Sequence, residues 1–174
     1  MNSEISISIA TEADIAALVT LVNSAYRGES SKKGWTTEAE LLGGLRTDPI
    51  TLLEQINQPG HTFLKAVDST KKIIACVSLE EKANKLYLGM LTVQPDIQAS
   101  GIGKKMLAAS EEFALSKHLS CIEMTVISVR SELISYYERR GYRATGEKRD
   151  FPSDPKFGIQ KQALEFIVLE KHLA

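Results

Sequence analysis

The chain has 174 residues, 43% of them hydrophobic and 25% charged, a size and balance that suit one globular domain spanning residues 1–174. With 21 basic and 22 acidic residues the net charge is −1, which gives no electrostatic basis for binding nucleic acid or an anionic membrane surface. No apolar run reaches the length of a membrane span, and Met1-Asn2-Ser3-Glu4 does not begin a secretory signal, so a cytoplasmic protein is expected.

Ile5, Ile7 and Ile9 alternate with polar residues and predict a first strand. Thr11-Glu12-Ala13-Asp14 is a capping-box variant with Asp in the usual place of Glu. Ile15, Leu18, Val19 and Val22 continue that helix at helical spacing to Tyr26. Residues 28–34 read as a polar loop. Thr37-Glu38-Ala39-Glu40 is a standard capping box and predicts a short helix to Arg46. Asp48-Pro49 starts another through Leu52, Leu53 and Ile56, stopped by Pro59-Gly60. A meander of strands is expected at 62–67, 72–80 and 85–93. Then come a helix over 101–118, a strand over 121–127 and a helix over 132–140 ended by Gly141. Residues 142–147 and 163–169 read as strands, with a proline-bearing loop at 150–159 between them. The order β-α-α-α-β-β-β-α-β-α-β-β predicts an α/β domain with a mixed sheet.

Cys76 and Cys121 lie in apolar strand-like runs and read as buried reduced thiols. No Cys/His spacing predicts a metal site. The most informative stretch is 91–107, where a strand ending at Val93 gives way to Gln98-Ala99-Ser100-Gly101-Ile102-Gly103 and then to an amphipathic helix. Strand, glycine turn and helix N-terminus together suit phosphate oxygens, because the first helical N–H groups have no intrahelical partner and the dipole favours negative charge there. The spacing is neither that of a phosphate-binding Walker loop nor that of a dinucleotide fingerprint, since no third glycine follows at Met106. A second cluster, Tyr136-Tyr137-Glu138-Arg139-Arg140-Gly141-Tyr142, closes a helix and opens a strand. Tyr136 reads as core. Tyr137 points to a different helix face, and a phenol with a pKa of about 10 is protonated near neutrality.

Together these stretches resemble the acyl-CoA-binding core of the GNAT N-acetyltransferases. The turn Gln98-x-x-Gly101-x-Gly103 matches the family's Arg/Gln-x-x-Gly-x-Gly/Ala at each fixed position. The Tyr137 helix and the opening segment at residues 5–15 also fit, so the resemblance covers nearly the whole chain. It implies the GNAT-like acyl-CoA N-acyltransferase fold, a central mixed β-sheet flanked by helices, and acetyl-CoA as co-substrate without a metal.

The resemblance also implies roles. Backbone N–H groups of Gln98, Ala99, Ser100, Gly101, Ile102, Gly103 and Lys104 would hold the coenzyme pyrophosphate. Leu91, Thr92 and Val93 would pair with the pantetheine arm, and an N–H there would polarise the thioester carbonyl. Tyr137 matches the general acid that protonates the departing thiolate. The family's glutamate position four residues before Leu91 is Tyr87 here. Glu80 and Glu81 are therefore the candidates for the base, Glu81 entering the expected catalytic set, with Glu123 a further candidate. Arg130 is open between binding the coenzyme, binding an acidic substrate group and being solvated. Trp35, Phe151, Asp154 and Phe157 fall in the two segments expected to shape the acceptor pocket. The expected acceptor is a small-molecule primary amine, with a peptide or protein amine second and a non-catalytic acyl-CoA-binding module as the rival. A monomer or a homodimer suits either.

Overall fold

The computed structural model describes residues 4–26, 38–39, 42–43, 46–98, 100–151 and 159–173. Its strands are β1 (Ser6–Ile9), β2 (Leu42–Gly43), β3 (His61–Val67), β4 (Ile73–Lys82), β5 (Lys85–Val93), β6 (Cys121–Ile127), β7 (Arg143–Asp150), β8 (Ile159–Gln160) and β9 (Glu165–His172). Its helices are α1 (Ile15–Tyr26), α2 (Pro49–Ile56), α3 (Ile102–Ser116) and α4 (Ser131–Glu138), with single 3-10 turns at Glu12–Asp14 and Pro95–Ile97. None of these helices is long and apolar enough to cross a membrane.

Seven strands form one mixed sheet in the order β1-β3-β4-β5-β6-β9-β7. The meander β3-β4-β5 is antiparallel, as its short turns require, and α3 is the crossover that lets β6 lie parallel to β5. Each face of the sheet buries its own cluster. On one, Met106, Leu107 and Ala114 of α3 and Tyr137 of α4 pack on Leu86, Leu88 and Ile122. On the other, Leu18, Val22 and Ala25 of α1 and Leu52 of α2 cover Phe63, Cys76 and Met90. Both cysteines are buried free thiols, and burial pushes that of Cys76 up to about 12.

Most predicted elements appear within two or three residues of their expected limits. The expected helix from Thr37 to Arg46 does not hold where it is described. Leu42–Gly43 is a short strand, antiparallel to Ile159–Gln160 at the end of the supposed loop. Propensity and a capping signal there are outweighed by pairing with a segment more than a hundred residues away in sequence. His61, the first residue of β3, is half-buried with its ring stacked on Phe63 at 4.9 Å.

The start of α1 follows its sequence signal. The Thr11 N–H donates to Asp14 Oδ2 at 2.8 Å, and Lys65 Nζ from β3 lies 2.9 Å from the same oxygen. Burial pushes the Asp14 carboxyl up, but the Thr11 N–H and the Lys65 ammonium outweigh it and hold it below the ordinary 3.8. A lowered folded-state pKa contributes stability above the unfolded value and loses it as pH falls through the folded one. Asp14→Asn is therefore expected to lower stability at pH 7 by about 1 kcal/mol, the usual size of a lost cap. In urea titrations the gap between variant and parent should close as pH falls below about 4. A gap that stays constant down to pH 3 contradicts this reading.

Candidate active site

β5 and β6 are neighbours for only two residue pairs, Leu86 with Ile122 and Tyr87 with Glu123. On the other edge of β5, Ser78 pairs with Gly89 and Cys76 with Thr92, so Val77 alone faces both Met90 and Leu91. Met90 takes a φ of 53°, the left-handed region that a non-glycine residue seldom adopts, and marks a β-bulge. Thr92 is 1% exposed, and its hydroxyl donates to the Met90 carbonyl at 2.8 Å, tying the bulge down from within the core. A bulge bends its strand. Here the bend falls where β5 leaves β6.

Two cavities meet at that parting. The larger, about 500 Å³, is lined by Val93, Gln98, Gly101, Gly103, Lys104 and Tyr136, with Arg139 and Arg140 beside them. The smaller, about 200 Å³, is lined by Glu38, Arg46, Tyr87, Thr125, Arg130 and Phe151 among others. Tyr26, Leu91, Leu133 and Tyr137 line both, so they form the passage between the two.

The larger cavity is floored by the glycine turn. Gly101 precedes α3 with a φ of 89° and supplies no side-chain cap, which leaves the first N–H groups of a 15-residue helix for another acceptor. Gln98 folds back so that its Nε2 donates to the Val93 carbonyl at 3.1 Å, tying the turn to the end of β5. Tyr136 overlies the first turn of α3. A Cβ on Gly103 would stand 2.8 Å from the Tyr136 hydroxyl oxygen, so that contact requires glycine. The Arg140 guanidinium lies 3.6 Å from the centre of the Tyr136 ring and holds it in place.

The passage is ringed by phenols. Tyr137 is 6% exposed and meets Tyr136 and Tyr142 edge-on, at 5.4 and 5.8 Å between ring centres. Burial pushes its phenol well above the ordinary 10, and the nearby phenols of Tyr26, Tyr136 and Tyr142 push the same way against Arg130. Tyr26, the last residue of α1, donates its hydroxyl to the Leu91 carbonyl. Burial, with the Glu38 carboxylate adding, raises that phenol to about 12 against the opposing Arg46 and Arg130. Across the gap the Tyr87 hydroxyl lies 2.8 Å from Thr125 Oγ1. Arg130 closes on Glu38 at 3.5 Å, and both side chains are about nine-tenths buried, at 9% and 11% exposure.

The structure gathers Leu91, Val93, Gln98, Gly101, Gly103, Lys104 and Tyr137 around the larger cavity. Thr92, Ser100 and Ile102 belong to the same segment, but among the described residues they do not line it. Thr92 and Ile102 turn into the core. Ala99, Trp35, Asp154 and Phe157 lie outside the described residues. Glu81 is brought to neither cavity. It is an exposed residue at the hairpin end of β4, opposite Leu86. Five residues of strand separate Leu86 from Leu91, about 16 Å at the usual rise. Glu123 is held in ion pairs with Lys85 and Arg149. The carboxylate that does line the smaller cavity is Glu38, which the sequence offered only as a helix-capping residue. Tyr136, read as core, is half-buried against the larger cavity. Tyr26 and Arg46 carry no local pattern that points to a site, since only the approach of α1 and of the segment before α2 to β5 places them here.

Residues 44–152 match the sequence profile described as Acetyltransferase (GNAT) domain. No curated protein sequence is significantly similar to the chain. Solved structures with the same fold include the ribosomal-protein-S18-alanine N-acetyltransferase of Escherichia coli, 14% identical with a TM-score of 0.72, the alignment covering 98% of this chain and 95% of that one. The PaiA N-acetyltransferase of Thermoplasma acidophilum in complex with coenzyme A is 20% identical, with a TM-score of 0.69 and coverage of 97% and 99%. The ribosomal-protein-alanine N-acetyltransferase of Brucella melitensis is 20% identical, with a TM-score of 0.70 and the same coverage. The profile spans well over half of the chain, and the chain belongs to the GNAT family of acetyl-CoA-dependent N-acetyltransferases.

Proposed function

We propose that the chain transfers acetyl from acetyl-CoA to a small primary amine by direct attack, with Tyr137 as general acid. The observation that supports this most is the meeting of two cavities at Leu91 and Tyr137. One end suits a phosphate-bearing thioester and the other a small nucleophile. Coenzyme A supplies an activated acyl group and phosphates. The uncapped N-terminus of α3, the glycine at 103 and the cations Lys104, Arg139 and Arg140 fit the phosphates. The far edge of β5 beyond Tyr87 has left its partner strand, so backbone groups near Leu91 and Val93 suit the pantetheine amides as a further strand would.

In the reaction the amine nitrogen bonds to the acyl carbon while the carbon–sulfur bond breaks, and no enzyme nucleophile is needed. A backbone N–H near Leu91 would polarise the carbonyl oxygen. Tyr137 gives its proton to the leaving sulfur, and the proton that the attacking nitrogen sheds as the amide forms restores the phenol. A buried phenol with a raised pKa keeps that proton across the physiological range, and general acid help is worth about 10²–10⁴ in rate. The amine must first lose a proton, since an alkylamine has a pKa of about 10.4. Glu38, which lines the smaller cavity as Glu81 does not, would draw that proton off. The smaller cavity, at about 200 Å³, lies below the roughly 300–1,000 Å³ of sites for drug-sized ligands, which favours a compact acceptor over a peptide.

Tyr137→Phe is expected to lower kcat at least about tenfold with little change in acetyl-CoA affinity, as read by coenzyme release and calorimetry. Equal turnover would remove Tyr137 from the acid role. Because the Tyr137 phenol lies well above 10, the wild-type rate should show no falling alkaline limb up to about pH 10. Gly103→Ala is expected to weaken acetyl-CoA binding about tenfold or more, since the new Cβ displaces the Tyr136 phenol. Adding Tyr136→Phe removes the clashing oxygen and should restore most of the affinity, measured against Tyr136→Phe alone.

A further inference from the structure

Among the described residues, the charges of the smaller cavity do not balance. Its charged lining residues, among those described, are Arg46, Arg130 and Glu38. Arg130 spends its charge on Glu38 at 3.5 Å. Arg46 meets no carboxylate among the described residues. Its guanidinium carbon stands 5.9 Å from the Tyr26 ring centre, a cation–π contact. The segment that carries it is built rather than loose. Asn23 of α1 accepts from the Arg46 and Thr47 N–H groups at 2.7 and 3.1 Å and donates Nδ2–H to the Thr47 carbonyl at 3.0 Å. Those three bonds fix the backbone of Arg46 against α1, so the guanidinium is delivered to the cavity by the fold.

Among the described residues one cation is therefore in excess within about 200 Å³, in surroundings from which part of the water is excluded. Charge in such a place is costly unless it is compensated. The coenzyme does not need it, because its phosphates have Lys104, Arg139, Arg140 and the α3 N-terminus in the other cavity, which Arg46 and Arg130 do not line. Arginine is also the side chain whose planar fork matches a carboxylate bidentately. Glu38, paired with Arg130, lies on the same wall and offers carboxylate oxygens that can accept from the N–H groups of an amine.

We infer that the acceptor is a compact amino acid: its carboxylate is held by Arg46 beside Arg130, and its amine is directed by Glu38 toward Leu91 and Tyr137. This rests on the acetyl-transfer reading above and names the acceptor class for it. The small volume requires amine and carboxylate to be a few bonds apart. A peptide N-terminus, whose first carboxylate has become an amide, lacks the group that Arg46 would bind.

The test is coenzyme release from acetyl-CoA with α-, β- and γ-amino acids, each beside its own carboxamide. The carboxamide's amine is the less basic of the two, so more of it is neutral near pH 7 and the comparison is biased against the inference. The best acid is nonetheless expected to exceed its amide in kcat/KM by at least about tenfold, the size of one charge-assisted hydrogen bond. Arg46→Gln should bring that ratio to within about twofold, and Arg46→Lys should retain part of it. The ratio is taken within each variant, so partial loss of folded enzyme cancels. Equal use of acids and amides, or a ratio unmoved by Arg46→Gln, overturns the inference while leaving acetyl transfer in place. Coenzyme release from no amine at all overturns both.

Discussion

The parting of β5 from β6 is the constraint on which the rest of this molecule depends. Two parallel strands that stayed paired along their full length would present a closed sheet with no cleft between them. Here the ladder ends after Tyr87 and Glu123, and the extra residue at Met90 bends β5 away where the separation begins. The bend is held by Thr92, whose buried hydroxyl answers the Met90 carbonyl. An otherwise unpaired carbonyl in the core is costly, so the Thr92 bond both satisfies the bulge and fixes it. Everything chemical is arranged around that opening: the glycine turn at the end of β5, the tyrosine helix beside it, and α1 reaching from the opposite face to set Tyr26 on the Leu91 carbonyl.

Burial around the passage also decides which groups change protonation. Phenols in low dielectric hold their protons more tightly than in water. Tyr26, Tyr136, Tyr137 and Tyr142 all shift upward, each with desolvation as the largest cause. A phenol so placed is a reservoir of one proton that solvent does not easily remove. The charged groups sit on the other side of the passage. Arg130 is nine-tenths buried and survives there because Glu38 accompanies it. The two ends of the site thus differ in character: helix-terminal N–H groups and the cations Lys104, Arg139 and Arg140 at one, the buried Arg130–Glu38 pair and the partly exposed Arg46 at the other.

How much of this could be read from residue order varies with the range of the interaction. The α3 N-terminus was legible because Gly101 and Gly103 announce a turn and a close approach through local geometry alone. Asp14 capping Thr11 was legible for the same reason. The position of Glu81 was not legible, because an acidic residue near the end of a strand looks the same whether that end faces a cavity or solvent. Its register opposite Leu86 puts it at the hairpin end of β5, away from both cavities. The helix expected at 37–46 met a strand at Leu42–Gly43 because pairing with Ile159–Gln160 has no local signature. Tyr136 looked like core because its neighbour Arg140, which stacks on it, also looks like an ordinary solvated cation.

The amino-acid sequence by itself determined most of the elements, the α/β class, the glycine turn and the tyrosine helix, since each is written in short-range periodicity, capping and turn chemistry. Only the tertiary structure decided which polar side chains converge. Tyr26, Glu38, Arg46 and Arg130 come from separated segments, and nothing in any one of them signals the others. Their shared wall exists because α1 packs on β4 and β5, and because Asn23 anchors the backbone at Arg46 and Thr47. Local propensity is a property of neighbours in sequence, whereas a charge imbalance in a cavity is a property of neighbours in space.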